Sequence, residues 1–202
     1  MDKAEIFARR PDFAVICELV GENCKVLEIG CGDGSLLALL RKEKGVKANG
    51  IELTQEGVNA CVRKGLTVIQ GDADLDLDSY VDGVFDYAIL SHTILSVKSP
   101  VTVLRRLVSI ASKAIVSTQN VGHARRREHF QRTGELDESP FSDAMSSRFM
   151  RHASYEQFRR LCTSNQIRIE AEIGLDETGQ RIADRDDFNL QADQVVFLLS
   201  SG

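Results

Sequence analysis

Tryptophan is absent from the 202 residues, and neither a low-complexity tract nor an internal repeat appears. A solenoid or a disordered tail therefore does not account for the length. No apolar run approaches the roughly 18 residues that a membrane helix requires. Met1 to Arg10 is mostly polar rather than a signal-peptide pattern, so no membrane association is expected. The cysteines are few: Cys17, Cys24, Cys31, Cys61 and Cys162 are odd in number and never spaced Cys-x-x-Cys. That pattern gives neither a disulfide framework nor a zinc site, and its simplest home is a reducing cytoplasm. Positive charge is in deficit, 25 Lys and Arg against 30 Asp and Glu, and the net charge of -5 argues against a nucleic-acid partner.

What remains is a chain 43% hydrophobic and 27% charged, enough for one globular domain over 1–202 with a full core. Its most informative block runs Val26-Leu27-Glu28-Ile29-Gly30-Cys31-Gly32-Asp33-Gly34-Ser35-Leu36-Leu37. A short apolar run breaks into alternating glycines, and a helical apolar pattern follows at once. This is a strand, a tight turn and a helix start, the geometry that brings a backbone close to a nucleotide-like ligand.

Around it the chain alternates. A lead-in helix is expected from Phe7 to Val20, then strands at Lys25 to Ile29, Ala48 to Leu53, Leu66 to Gln70, Val84 to Leu90 and Ala114 to Thr118. Helices lie between them: one buries Leu36, Leu37, Leu39 and Leu40, one follows Thr54, and one starts near Pro100. Ser154 and Gln157 stand in capping-box spacing at the head of a helix to Thr163, and strands close the chain at Ile167 to Ile173 and Gln194 to Leu199. The stretch from Asn120 to Ala153 is polar and gives no periodic signal. The alternation predicts a mostly parallel seven-stranded α/β sheet with helices on both faces, and ligands at the carboxyl ends of its strands.

Three candidate cofactor positions fall at those ends. The glycine loop follows strand one, with Glu28 before it and Gly30, Cys31, Gly32 and Gly34 in it. Glu52, 18 residues after Gly34, stands where a carboxylate accepts hydrogen bonds from a ribose diol, with Leu53 beside it. Asp72, followed by Ala73, ends strand three and is placed to meet an adenine amino group. A pyrophosphate wants a bare helix N-terminus, whereas Glu28 and Asp33 make this loop acidic, with no Lys or Arg near in sequence until Arg41. An acidic pocket suits the sulfonium and ammonium of S-adenosylmethionine. NAD is the weaker alternative.

On the acceptor side, His92 follows strand four, while Asn120 and His123 follow strand five. Each is a candidate catalytic group, and each has an ordinary alternative as a hydrogen-bonded loop residue. Arg125, Arg126, Arg127 and Arg132 form a basic cluster, read either as a solvated helix face or as a docking patch for an acidic partner or a carboxylate. The acidic stretch from Asp72 to Asp82 lacks the spacing of a calcium loop, and no metal is expected.

Glu28-x-Gly-x-Gly-x-Gly, Glu52, Gly71-Asp72-Ala73-Asp74 and Phe85 to Leu90 resemble the motif series of class I methyltransferases. Arg10-Pro11-Asp12, Gly30 to Gly34, Val68 to Asp74, Leu90-Ser91, Asn120-x-Gly122-His123 and Asn189-Leu190-x-Ala192-x-Gln194 extend the match. Together they resemble the MetW family of methionine-biosynthesis proteins over nearly the whole chain. The resemblance implies a cytoplasmic, Rossmann-like methyltransferase fold, S-adenosylmethionine as cofactor with Ser91 among its contacts, and a small-molecule acceptor. It also implies a working association with homoserine O-acetyltransferase, and leaves open whether a methyl group is transferred. Where the family pattern has an aromatic Trp-Tyr-Asp-Thr-Pro-Asn block, this chain reads Ala144-Met145-Ser146-Ser147-Arg148-Phe149, and Ala124 replaces an aromatic after His123.

Overall fold

The computed structural model describes residues 2–135 and 152–202; the divergent 144–149 block lies outside them. In chain order the elements are helices α1 (Lys3–Arg9) and α2 (Pro11–Leu19), strand β1 (Lys25–Ile29), α3 (Ser35–Lys44), β2 (Lys47–Glu52), α4 (Gln55–Arg63), β3 (Thr67–Gln70), the short α5 (Ala73–Asp76) and β4 (Phe85–Ser91). There follow α6 (Pro100–Ile110), β5 (Ala111–Gln119), α7 (Ala124–Thr133), α8 (Tyr155–Ser164), β6 (Ile167–Leu175), the short α9 (Phe188–Gln191) and β7 (Gln194–Ser201).

Seven strands form one sheet in the order β3-β2-β1-β4-β5-β7-β6. The first five run parallel, and β7 inserts antiparallel to both β5 and β6. The expected mostly parallel α/β class is what the chain adopts. Strand periodicity divides the core between two faces. Leu27, Ile29, Ala88, Leu90, Val195 and Phe197 pack on one side under α6 and α8, while Val26, Ile89 and Val196 pack on the other under α2 and α3. Each fully buried Leu or Ile in these layers contributes about 1.5–3 kcal/mol of burial.

The expected lead-in helix is two helices. Arg10 leaves the helical region at φ -136, ψ 75, and Pro11 opens α2. Proline lacks the N–H that a continuous helix would need and fits the first turn of a new one, so the chain bends there. Segment 120–153 is not wholly irregular either, because α7 occupies part of it. That helix buries none of its residues, so no apolar periodicity announced it.

Candidate functional site

The loop after β1 is a left-handed glycine turn, with φ +70, +55 and +75 at Gly30, Gly32 and Gly34. A Cβ on Gly34 would lie 2.5 Å from Leu66 Cδ1 and 2.8 Å from Cys61 Sγ, so this glycine lets the turn pack against α4 and the segment that follows it. A Cβ on Gly32 would meet nothing within 4 Å. Gly32 therefore faces an open cradle, and its backbone is the approachable surface.

Glu52 ends β2 against that cradle. Its Oε2 accepts from the Gly32 N–H at 2.9 Å, and its Oε1 accepts from the Thr54 N–H and hydroxyl at 2.9 and 2.8 Å. A carboxylate offers about four lone-pair sites, so capacity remains for a ligand hydroxyl. Thr54 in turn accepts from Gly57 N and caps α4. Glu28 is buried and its Oε2 has no hydrogen-bond partner among the described residues. Burial pushes its pKa well up; Arg10 opposes this, while the carboxylates of Asp12, Asp33 and Glu52 add to it. Asp33 points outward and pairs with Lys64 Nζ at 2.8 Å. The loop is thus less acidic than its sequence neighbourhood implies, because α4 returns a lysine to it. Asp72 caps α5, its Oδ1 accepting from Asp74 N at 2.9 Å. Leu53 beside Glu52 is 63% exposed, an apolar side chain left open next to the cradle.

Beyond β4 lies a polar cluster whose centre the sequence did not single out. Asp12 in α2 is fully buried, and its carboxylate accepts from Arg10 Nε and Nη2 at 3.0 and 2.9 Å, from Ser91 Oγ at 2.9 Å and from Ser117 Oγ at 2.7 Å. Arg10 also donates to Ser91 Oγ. Burial pushes the Asp12 pKa up, but the Arg10 and Ser117 hydrogen bonds and the nearby His92 outweigh it and hold the carboxyl below its ordinary value. His92 sits at φ 56, its Nε2 3.1 Å from Gln194 Oε1 and 3.8 Å from Asp12 Oδ2. Burial lowers its pKa more than Asp12 raises it, so the ring is neutral at pH 7.

Asn120 requires a correction. Its amide donates to the carbonyls of Phe188, Asn189 and Ala192, and its oxygen accepts from the N–H groups of Gly122 and Tyr155. Nothing is left to orient an acceptor; this side chain ties β5 to α8 and α9. His123 precedes α7, and its Nδ1 lies 3.7 Å from Glu177 Oε1 with no hydrogen-bond partner among the described residues. It lines a 660 Å³ cavity with Arg125, Arg126, His129 and Arg132. His92 lines a neighbouring 230 Å³ cavity, which shares Glu177 and Asp193 with the first. The residues missed were Arg10, Asp12, Ser117 and Gln194. Arg10-Pro11-Asp12 and Gln194 stand in stretches that carry the family resemblance, but without a role attached, and an acidic residue in a first helical turn reads as an ordinary helix start.

A seven-stranded sheet of this order, a glycine turn after β1 and a carboxylate closing β2 define a Rossmann-like methyltransferase fold. The chain is similar to the solved structure of a SAM-dependent methyltransferase from Thermotoga maritima, at TM-score 0.69 and 18% identity over 97% of this chain and 90% of that one. A SAM-dependent methyltransferase from Archaeoglobus fulgidus matches at TM-score 0.66 and 16% identity over 96% and 93%. The [4+2]-cyclase SpnF matches at TM-score 0.66 and 14% identity over 96% of this chain and 81% of that one. The chain belongs to the MetW family, described as methionine biosynthesis protein MetW, which matches residues 10–199. The bifunctional methionine biosynthesis protein MetXA/MetW of Rhodopirellula baltica is 30% identical over 193 residues, 90% of this chain. The chain spans 31% of the length of that relative.

Proposed function

We propose that this chain binds S-adenosylmethionine in the cradle after β1 and serves methionine metabolism as a methyltransferase, in the cytoplasm. The carrying observation is the open face at Gly32, flanked by the ordered Glu52 carboxylate and the unpartnered Glu28 Oε2. Glu52 would hold the ribose hydroxyls. Glu28 and the backbone of Gly30, Cys31, Gly32 and Gly34 would hold the amino-acid end, while Leu53, Asp72 and Ala73 would hold the base. Ser91 would line the reactive side. When bound, the cofactor supplies an electrophilic methyl on a sulfonium. Everything else falls to positioning by the chain, with His92 or His123 available to a small-molecule acceptor's proton. Calorimetric titration tests this: micromolar binding of S-adenosylmethionine and S-adenosylhomocysteine with none of NADH is expected. Failure of both sulfur nucleosides to bind refutes it.

One observation favours a second reading, in which the chain acts as a cofactor-sensing accessory to homoserine O-acetyltransferase. The Rhodopirellula baltica relative carries MetXA and MetW names on one polypeptide. The SpnF likeness adds that this fold is not confined to methyl transfer. Co-purification of the two proteins, with and without S-adenosylmethionine, tests it; no association under either condition removes it.

A further inference from the structure

The 230 Å³ cavity beside His92 has walls from four places in the chain. They are the α1–α2 junction with Arg9, Arg10 and Pro11, the ends of β4 and β5 with His92 and Gln119, the turn after β6 with Glu177 and Thr178, and the start of β7. Its position is set by the loop after β4. Thr93 lies against Gly30, where a Cβ would come within 2.6 Å of it, so the loop that carries His92 packs against the glycine turn on the β4 side.

Charge in this cavity is unevenly spent. Glu177 is paired with Arg125 at 3.0 Å, Asp193 with Arg126 at 2.7 Å, and Asp12 behind the wall with Arg10. The side chains of Arg9 and Gln119 make no hydrogen bond or ion pair with any described residue. His92 supplies a third open group. Both atoms near its Nε2, Gln194 Oε1 and Asp12 Oδ2, are acceptors as placed, which favours the tautomer with the ring proton on Nε2 and the lone pair on Nδ1. The left-handed backbone of His92 is costly for a residue of this size and is held by its N–H donating to Ser117 O at 3.1 Å. Strain of this kind, in a ring tied to Gln194, aims a side chain.

We propose that this cavity binds a small carboxylic acid bearing a hydroxyl, thiol or amine. Arg9 and Gln119 take the carboxylate, and His92 Nδ1 accepts a hydrogen bond from the second group. Gln194 is a positioning residue that fixes the His92 tautomer, and the Asp12 carboxylate 3.8 Å away adds its charge. The volume suits a ligand of metabolite size. The suggestion that this acid is the methyl acceptor rests on the cofactor reading above; its binding does not.

The test uses the full chain with lactate, serine, acetate, lactamide and serinamide as probes, followed by the imidazole ¹H–¹⁵N signals of His92. Lactate and serine should shift those signals saturably, and the two amides should not. Arg9→Gln should weaken lactate binding about tenfold, the loss of one charge-assisted contact. His92→Asn, which keeps a residue tolerant of left-handed backbone, should abolish the preference for lactate over acetate. Equal response to acids and amides, or lactate affinity unchanged in Arg9→Gln, overturns the proposal. Titration of S-adenosylhomocysteine on the same samples separates the two ideas. If it binds and the acids do not, the cavity proposal fails while the cofactor reading stands. If the acids bind and it does not, the pocket stands without a methyl-acceptor role.

Discussion

At the scale of single residues, Gly32 and Gly34 share a backbone conformation and differ in what surrounds them, so they separate ligand binding from folding. An alanine at either position bears the left-handed penalty of about 1–2 kcal/mol. Only at Gly34 does the new methyl also collide with Leu66 and Cys61, which adds about 1–3 kcal/mol of overpacking. Urea denaturation should therefore show Gly34→Ala to be the less stable variant by that margin. Calorimetry should show Gly32→Ala folded yet at least about tenfold weaker for S-adenosylhomocysteine, because its methyl fills the cradle. Equal stability losses would mean that the Gly32 face is not open.

Glu28 provides a pH-dependent counterpart. Its folded-state pKa lies well above the ordinary 4.5 because burial disfavours the carboxylate. The unfolded chain gives up the proton first as pH rises, so the folded state binds more protons there and stability falls with increasing pH above 4.5. Glu28→Gln removes that loss. Its stability gain over the parent should be small at pH 4 and should grow toward neutrality, read from denaturation midpoints across the range. The same variant should bind S-adenosylhomocysteine more weakly, the usual exchange between stability and a functional group held at a cost.

At the scale of elements, what the sequence revealed depended on how local each determinant was. The glycine turn and the Glu52 strand end were legible because their partners lie within one βαβ unit. The capping box at α8 was legible for the same reason: Ser154 N donates to Gln157 Oε1 at 2.9 Å and Ser154 Oγ accepts from Gln157 N at 3.2 Å. Asp12 was not, since Ser91 and Ser117 stand 79 and 105 residues away from it. Asn120 was misjudged because five backbone groups brought together by the tertiary fold use up its amide. The α1–α2 break followed from a single proline inside an otherwise periodic apolar pattern. Local capping can be checked directly. Ser154→Ala should cost about 1 kcal/mol, whereas Ser99→Ala should stay within about 0.5 kcal/mol, since Ser99 precedes α6 without any side-chain cap bond. Matching losses in thermal denaturation would show that the Ser154 bond contributes nothing.

At the scale of the whole molecule, the five parallel strands aim their carboxyl ends at one rim. The cradle, the Asp12 cluster and the His92 cavity all lie along it. No described helix is long and apolar enough to cross a membrane. The Leu residues of α3 and the core of α6 hold that rim from opposite faces of the sheet, so a ligand bound on it stabilises both layers together. A ligand that binds only the folded state adds RT ln(1 + [L]/Kd), about 2.7 kcal/mol at a hundredfold excess over Kd. For a domain of this size each kcal/mol moves the midpoint by roughly 2–4 °C. S-adenosylhomocysteine at that excess should accordingly raise the melting midpoint by roughly 5–10 °C, with no rise from NADH at equal concentration. In Gly32→Ala the rise should shrink toward zero while the unliganded midpoint drops only slightly. A shift with NADH instead would return the glycine loop to dinucleotide binding, and Lys64 beside Asp33 would then be the group to examine for a phosphate contact.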